Sequence, residues 1–274
     1  MSVESSSSLL ETRRLSVRYG GVVANDDVAL TVEAGEIVGL IGPNGAGKTT
    51  FVDAVTGFTR STGEVRLAGQ RIDGYSSHRR RSGGMARTWQ AGELFGDLTV
   101  AQNLAVALQR PGIRALLADI ITGSAPPVEA IDTALEMVGL ADVADRRPSE
   151  LALGQQKMVG VARALVGGTR VVLLDEPAAG LDTHESQHFG EELRRIAAAG
   201  IGVLLIDHDM SLVLDVCDRL YVLDFGKVIA TGKPQQIRDD PRVVAAYLGS
   251  PDVEPSDVLD SQLTSGTTSP QKGR

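Results

Sequence analysis

The sequence predicts an α/β fold: a mainly parallel core sheet, an N-terminal antiparallel β subdomain and an inserted helical subdomain. Three patterns carry that prediction. The runs EIVGLIG (36–42), RVVLLDE (170–176) and GVLLIDH (202–208) are continuously apolar, as strands buried on both faces of a parallel sheet are. Near the N-terminus, TRRLSVRY (12–19), DVALTVE (27–33) and GEVRLAG (63–69) alternate apolar and polar residues, the pattern of half-buried antiparallel strands. Around 101–148 the pattern turns helical, through VAQNLAVALQR and PPVEAIDTALEMVGLADVADRR.

In chain order, the Ser-rich residues 1–10 are expected to be disordered and residues 11–249 to form the folded domain, with its helical subdomain at about 99–160. DRLYVLDFGKVIATG (218–232) reads as a hairpin turning at Phe225-Gly226-Lys227. Residues 250–274 are rich in Ser, Thr, Pro and Asp with few large apolar residues, so they are expected to be a disordered tail. There is no internal repeat.

A net charge of −8 argues against nucleic acid as the main partner, which needs a basic footprint. The single cysteine, Cys217, allows no intramolecular disulfide and suits a reducing compartment. The first residues lack a basic segment followed by an apolar core. The longest apolar run, IAAAGIGVLLI (196–206), is too short to span a bilayer, so no membrane crossing is expected. His78, His184 and His188 are expected to be exposed polar residues, and no Cys/His spacing suggests a structural metal.

GPNGAGKTT, from Gly42 to Thr50, follows the buried strand at 36–41 and precedes a helical stretch, the context a phosphate-binding P-loop requires. Gly42, Gly45 and Gly47, with Pro43, Asn44 and Ala46 between them, let the backbone curl so that its N–H groups point at phosphate oxygens. Lys48 is placed to reach the β- and γ-phosphates and the Thr49 hydroxyl to ligate Mg²⁺, and Thr50 completes the nucleotide-binding loop. VVLLDEP delivers Asp175 to the C-terminal end of a second buried strand, where ligands of open α/β sheets bind. Asp175 is the candidate for the Mg²⁺ shell. Glu176, one residue on, is the candidate to orient or deprotonate the attacking water. No Asn/Thr-Lys-x-Asp guanine reader is present, which favours ATP.

LALGQQK precedes VVLLDEP, with Gln155 twenty residues before Asp175. That layout resembles the ATP-binding cassette (ABC) family, whose signature is usually Leu-Ser-x-Gly-Gln. The resemblance implies that Leu151, Ala152, Leu153, Gly154 and Gln155 complete the ATP site of a second cassette, two subunits sandwiching two ATP molecules. It further implies that Tyr19 stacks on adenine and that Gln90 joins the metal site to a transmembrane partner. It also implies that Asp182 falls in the loop that crosses the dimer interface and that His208 contacts the γ-phosphate. Ala152 departs from the pattern by lacking the serine hydroxyl.

GPNGAGKTTFVDAVTGF, GMARTWQAGELFGDLTVAQN, LLDEPAAGLD, LLIDHDMSLVLDVCDRLYVLDFGKVIATGKP and VVAAYLGS look like the ATPase subunits of branched-chain amino acid importers. The likeness covers roughly 12–249. Two features stand out within it: Thr88-Trp89-Gln90 where Thr-Phe-Gln is usual, and a segment at 105–130 that matches the subfamily's extra one. It implies integral-membrane permease subunits, a second ABC ATPase and an extracytoplasmic substrate-binding protein, with the protein peripheral to the cytoplasmic face of the membrane. The alternatives are a cassette for urea or amide import or lipopolysaccharide export, or a non-transport ABC ATPase. GELFGDLTV (92–100) reads either as a groove for a coupling helix or as core packing.

Overall fold

A computed structural model describes residues 8–88, 94–108 and 128–248. Residues 1–7, Trp89, Gln90, most of the 105–130 segment and the tail from 250 onward lie outside the described residues.

Among the described residues, ten strands form two sheets. In the antiparallel sheet β1 (Leu10–Tyr19) lies between β2 (Val22–Val32) and β4 (Thr62–Leu67), and the short β5 (Gln70–Arg71) closes the edge. The six-stranded sheet runs β10 (Lys227–Gly232), β9 (Arg219–Asp224), β3 (Ile37–Ile41), β8 (Gly202–Ile206), β7 (Val171–Asp175), β6 (Met85–Arg87). All its pairings are parallel except the β9–β10 hairpin. Every residue of β3, β7 and β8 is buried, which is why those strands read as unbroken apolar runs.

The Leu9 N–H donates to the Val32 carbonyl at 2.8 Å, and Leu10, the first residue of β1, is fully buried opposite Val32 and Leu67. Leu10 supplies apolar surface at the start of the central strand, worth about 1.5–3 kcal/mol for a fully buried leucine.

Two apolar layers cover the core sheet. One joins it to the antiparallel sheet and to α1 (Lys48–Thr56), through Leu15, Val38, Phe51 and Leu173. The other packs α3 (Val100–Leu108), α4 (Val128–Met137), α5 (Leu153–Leu165) and α6 (Thr183–Ala198) against the opposite face, through Leu104, Leu135, Met158 and Phe189. The signature helix α5 continues past residue 160 to Leu165, with Val161, Ala162, Ala164 and Leu165 all buried. Three short helices follow later in the chain: α7 (Met210–Val216), α8 (Pro234–Arg238) and α9 (Pro241–Leu248).

The helix α2 (Ser77–Ser82) ties the two layers together. Buried Arg80 donates to the Ala54 and Val55 carbonyls at the C-terminal end of α1, and to the Asp73 and Tyr75 carbonyls. Its neighbour Arg81 donates to the Val166 carbonyl at the end of α5, and to Thr169. Burial lowers the pKa of both guanidinium groups. A cation at a helix C-terminus satisfies orphan carbonyls and complements the dipole. Adjacent arginines thus anchor the helix behind the phosphate loop and the helix behind the signature. In the 92–100 stretch, Val100 is buried in the core while Phe95 stands 47% exposed, and the Asn103 amide binds the Phe95 backbone on both its N–H and its carbonyl.

Candidate ATP site

The phosphate loop runs from the end of β3 into α1. Gly42 has φ 149°, and a Cβ there would lie 2.0 Å from the Leu223 carbonyl oxygen. Gly47 has φ 102°, and a Cβ there would come within 2.5 Å of the Ala24 carbonyl oxygen. Both conformation and contact require glycine. The Asn25 amide on β2 donates to the Gly47 carbonyl at 3.2 Å, fixing the β1–β2 hairpin beside the loop. At the end of β1 Tyr19 is half exposed, its hydroxyl 3.2 Å from that of Thr59.

Lys48 curls back over the loop and donates to the Gly42 carbonyl at 2.6 Å and the Pro43 carbonyl at 3.1 Å. Burial lowers its pKa, while the Glu176 and Asp175 carboxylates act to raise it. The three groups assigned from sequence to phosphate, metal and water therefore share one electrostatic site. Thr49 and Thr50 lie in the first turn of α1.

Asp175 ends β7, 2% exposed. Its Oδ2 accepts from Arg87 Nη2 at 2.8 Å; its Oδ1 is buried with no hydrogen-bond partner. A buried, unsatisfied carboxylate oxygen is costly unless a ligand completes it. Such an oxygen is a hard donor of the kind that Mg²⁺ takes, and so is the threonine hydroxyl that Thr49 carries in the first turn of α1. No group of three His, Cys, Asp or Glu side chains among the described residues could hold an ion by itself. The remaining ligands would come from phosphate oxygens, water and Gln90, which lies outside the described residues.

Glu176 has φ 49°, the left-handed region, with its N–H donating to the Ile206 carbonyl at 2.7 Å. For a non-glycine residue this costs about 1–3 kcal/mol and persists only where the surroundings impose it. The chain turns sharply here, and Glu176 lines a cleft of about 580 Å³ that also touches Asp175, Leu153, Gln156 and Lys157.

His208 follows β8, with its side chain 72% exposed. Sequence reasoning missed the residue that holds its loop. Asp207 is 3% exposed; its Oδ1 accepts the His208 and Asp209 N–H groups at 2.8 and 3.0 Å, and its Oδ2 the Ala178 N–H at 3.2 Å. One carboxylate thereby ties the histidine loop to the segment after Glu176. The available signal was an acid at the end of an apolar strand in LLIDHDM.

The signature residues begin α5, with Ala152 at the N-cap position. Gln155 Oε1 accepts the Ala152 N–H at 3.2 Å, but the methyl side chain offers nothing in return, so the capping box is half made. Leu151 is buried and Leu153 is 41% exposed. The turn lies against Gly180 and Glu185 of the same subunit. Asp182 caps α6: its carboxylate accepts the Glu185 N–H at 2.8 Å, and Glu185 accepts the Asp182 N–H at 3.2 Å.

A glycine phosphate loop on a buried strand, an acidic pair ending the strand two places along, and a signature helix in an inserted helical layer define an ABC-type ATPase. The chain belongs to the ABC transporter family, whose model matches residues 25–179, and the model for branched-chain amino acid ATP-binding cassette transporters matches residues 227–253. It is 40% identical over 249 residues to the high-affinity branched-chain amino acid transport ATP-binding protein BraF of Pseudomonas aeruginosa, covering 88% of this chain and 98% of that one. It is 39% identical over 252 residues to LivG of Escherichia coli, of the same description, covering 89% and 99%. The lipopolysaccharide export ATP-binding protein LptB of Haemophilus influenzae is 35% identical over 243 residues, covering 88% and 98%. Among solved structures, a nucleotide-free ATP-binding cassette from an ABC transporter superposes with a TM-score of 0.77 at 30% identity, covering 89% of this chain and all of the other. A cassette in its ADP conformation gives 0.76 at 29%, covering 89% and 99%. The chain is accordingly an ATP-binding ABC ATPase, and no described helix is long and apolar enough to cross a membrane.

Proposed function

We propose that this protein is the ATP-hydrolysing subunit of an importer for branched-chain or other amino acids, acting at the cytoplasmic face of the membrane. The observation that carries this reading is the match of residues 227–253 to the family model of branched-chain amino acid transporters, a stretch that the general cassette model does not reach. In this reading the protein pairs with a second ABC ATPase and drives integral-membrane permease subunits. An extracytoplasmic substrate-binding protein delivers the cargo, and nucleic acid has no part.

Tyr19 stacks on adenine, and the backbone N–H groups of Gly42–Thr50 hold the phosphates. Lys48 leaves its loop carbonyls for the β- and γ-phosphate oxygens. Thr49, Asp175 and Gln90 would hold Mg²⁺, which would neutralise charge on those oxygens. Glu176, fixed by its turn, orients and deprotonates the attacking water, and His208 approaches the γ-phosphate on the loop that Asp207 holds. Leu151–Gln155 close over the partner's nucleotide, and Asp182 stabilises the start of the helix that borders the interface.

Co-expression with candidate permeases tests the assignment. A stable complex with two polytopic membrane proteins, whose ATPase responds to a binding protein loaded with leucine, isoleucine or valine, supports import. A complex that assembles only with soluble partners, or responds to lipopolysaccharide instead, refutes it.

A further inference from the structure

Arg87 has no place in the sequence-based assignment, yet it touches two of the three elements that carry the candidate metal ligands and belongs to the strand that leads to the third. It ends β6, 7% exposed, and its guanidinium pairs with Asp175 of β7 through Nη2 and with Asp53 of α1 through Nη1. Asp53 lies four residues after Thr49 on α1, so the two share a helix face. Beyond Arg87 the backbone stays zipped to β7: the Thr88 N–H donates to the Leu173 carbonyl at 2.9 Å, and the Asp175 N–H to Thr88 Oγ1 at 3.4 Å. Gln90 is two residues further on.

We propose that Arg87 is a positioning residue for the divalent-metal site, bridging Asp53 and Asp175 to set the span between the Thr49 helix and the Asp175 strand. The bridge also engages one oxygen of Asp175 and leaves Oδ1 as the oxygen open to the metal's shell. A guanidinium suits this task because its planar fork presents two nitrogens in fixed geometry to two carboxylates, whereas an ammonium is a point charge on a flexible stem. Arg87→Lys therefore keeps the charge and removes the geometry. This inference rests on the metal-site reading given above.

The test uses the full-length protein and reads metal binding without turnover. Mn²⁺ is titrated by EPR in the presence of a non-hydrolysable ATP analogue, and binding of a fluorescent ATP analogue is measured separately in EDTA. Loss of a group that orients a metal ligand costs about 10- to 100-fold in affinity. Arg87→Lys is expected to raise the half-saturating Mn²⁺ concentration by about tenfold, with metal-free nucleotide binding within about twofold of the parent. Asp53→Asn, which leaves the Arg87–Asp175 pair in place, is expected to shift Mn²⁺ in the same direction by less, and decides alone should Arg87→Lys fail to fold. Folded variants with the parent's Mn²⁺ dependence overturn the proposal, as does an equal loss of nucleotide binding with and without metal. A parent that shows no Mn²⁺ dependence overturns the metal-site reading itself.

Discussion

The backbone N–H of Glu176 donates to the carbonyl of Ile206 at 2.7 Å, holding Glu176 in the left-handed conformation at φ 49°. Strand β8 thus sets the direction in which the candidate catalytic carboxylate leaves β7. Two substitutions separate its chemistry from its strain. Glu176→Gln keeps size and backbone and should lower kcat by at least about 10²-fold while leaving ATP binding intact. Glu176→Gly and Glu176→Ala both remove the carboxylate, but glycine relieves the strain. Denaturant titration should show the glycine variant more stable than the alanine variant by about 0.5–1 kcal/mol. Equal stabilities would mean that the turn is unstrained.

Ala152 leaves the α5 N-cap without an acceptor. Ala152→Ser should stabilise the fold by about 0.5–2 kcal/mol through a hydroxyl–N–H cap. The same hydroxyl is placed to hydrogen-bond the γ-phosphate in the partner's site, at about 1.5–3 kcal/mol for a charged acceptor. ATPase activity of the assembled complex should then rise by roughly 10- to 100-fold at the site facing Ala152. A stability gain without a rate gain would show that this site is not limited by the missing serine.

Asp207 accepts three backbone N–H groups from a buried position. Asp207→Asn turns an amide donor toward one of them, at a cost of about 1–3 kcal/mol. ATPase should fall, and the fall should vanish in a His208→Ala background if Asp207 acts through the histidine loop. An undiminished effect in that background would assign Asp207 a separate role.

Arg80→Ala strips the carbonyls at the end of α1 of their donor inside the core, and should cost about 2–4 kcal/mol by chemical denaturation. Lysine should not restore it, since one ammonium cannot replace the fork. Arg242→Ala breaks a surface pair whose arginine is exposed, and should change stability by no more than about 1 kcal/mol. The reverse ranking would remove α2 as the tie between the two layers.

Cys217 is buried against Gly39 and Val213, and burial with the neighbouring Asp218 carboxylate pushes its thiol well above the ordinary range. A thiol reagent at mildly alkaline pH should leave the native protein unlabelled and label it on unfolding, because the thiolate is the nucleophile. Rapid native labelling would contradict the packing around β3.

The sequence was most informative where one residue has one physical reason to be present. Gly42 and Gly47 sit where any Cβ would strike a carbonyl, and β3, β7 and β8 are buried on both faces, so loop and strands were legible from pattern alone. The start of β1 at Leu10 was not legible, because the serines before it dominate local composition while its partners Val32 and Leu67 lie far along the sequence. Arg87 and Asp207 were missed for a related reason. Their roles depend on Asp53, Asp175 and Ala178, contacts that β-sheet order creates and linear spacing does not reveal. Asp182 could be placed near an interface by resemblance, but its capping of α6 follows from Glu185 three residues on.

In the proposed function, hydrolysis at the site built on Lys48, Asp175 and Glu176 powers import of a branched-chain or other amino acid. The most direct measurement is uptake of labelled leucine into proteoliposomes that carry the assembled transporter, with this subunit and ATP on the face corresponding to the cytoplasm. The account predicts ATP-dependent accumulation that Glu176→Gln abolishes. Accumulation undiminished by Glu176→Gln, or no transport of leucine, isoleucine, valine or any other amino acid by an ATPase-active complex, would contradict it.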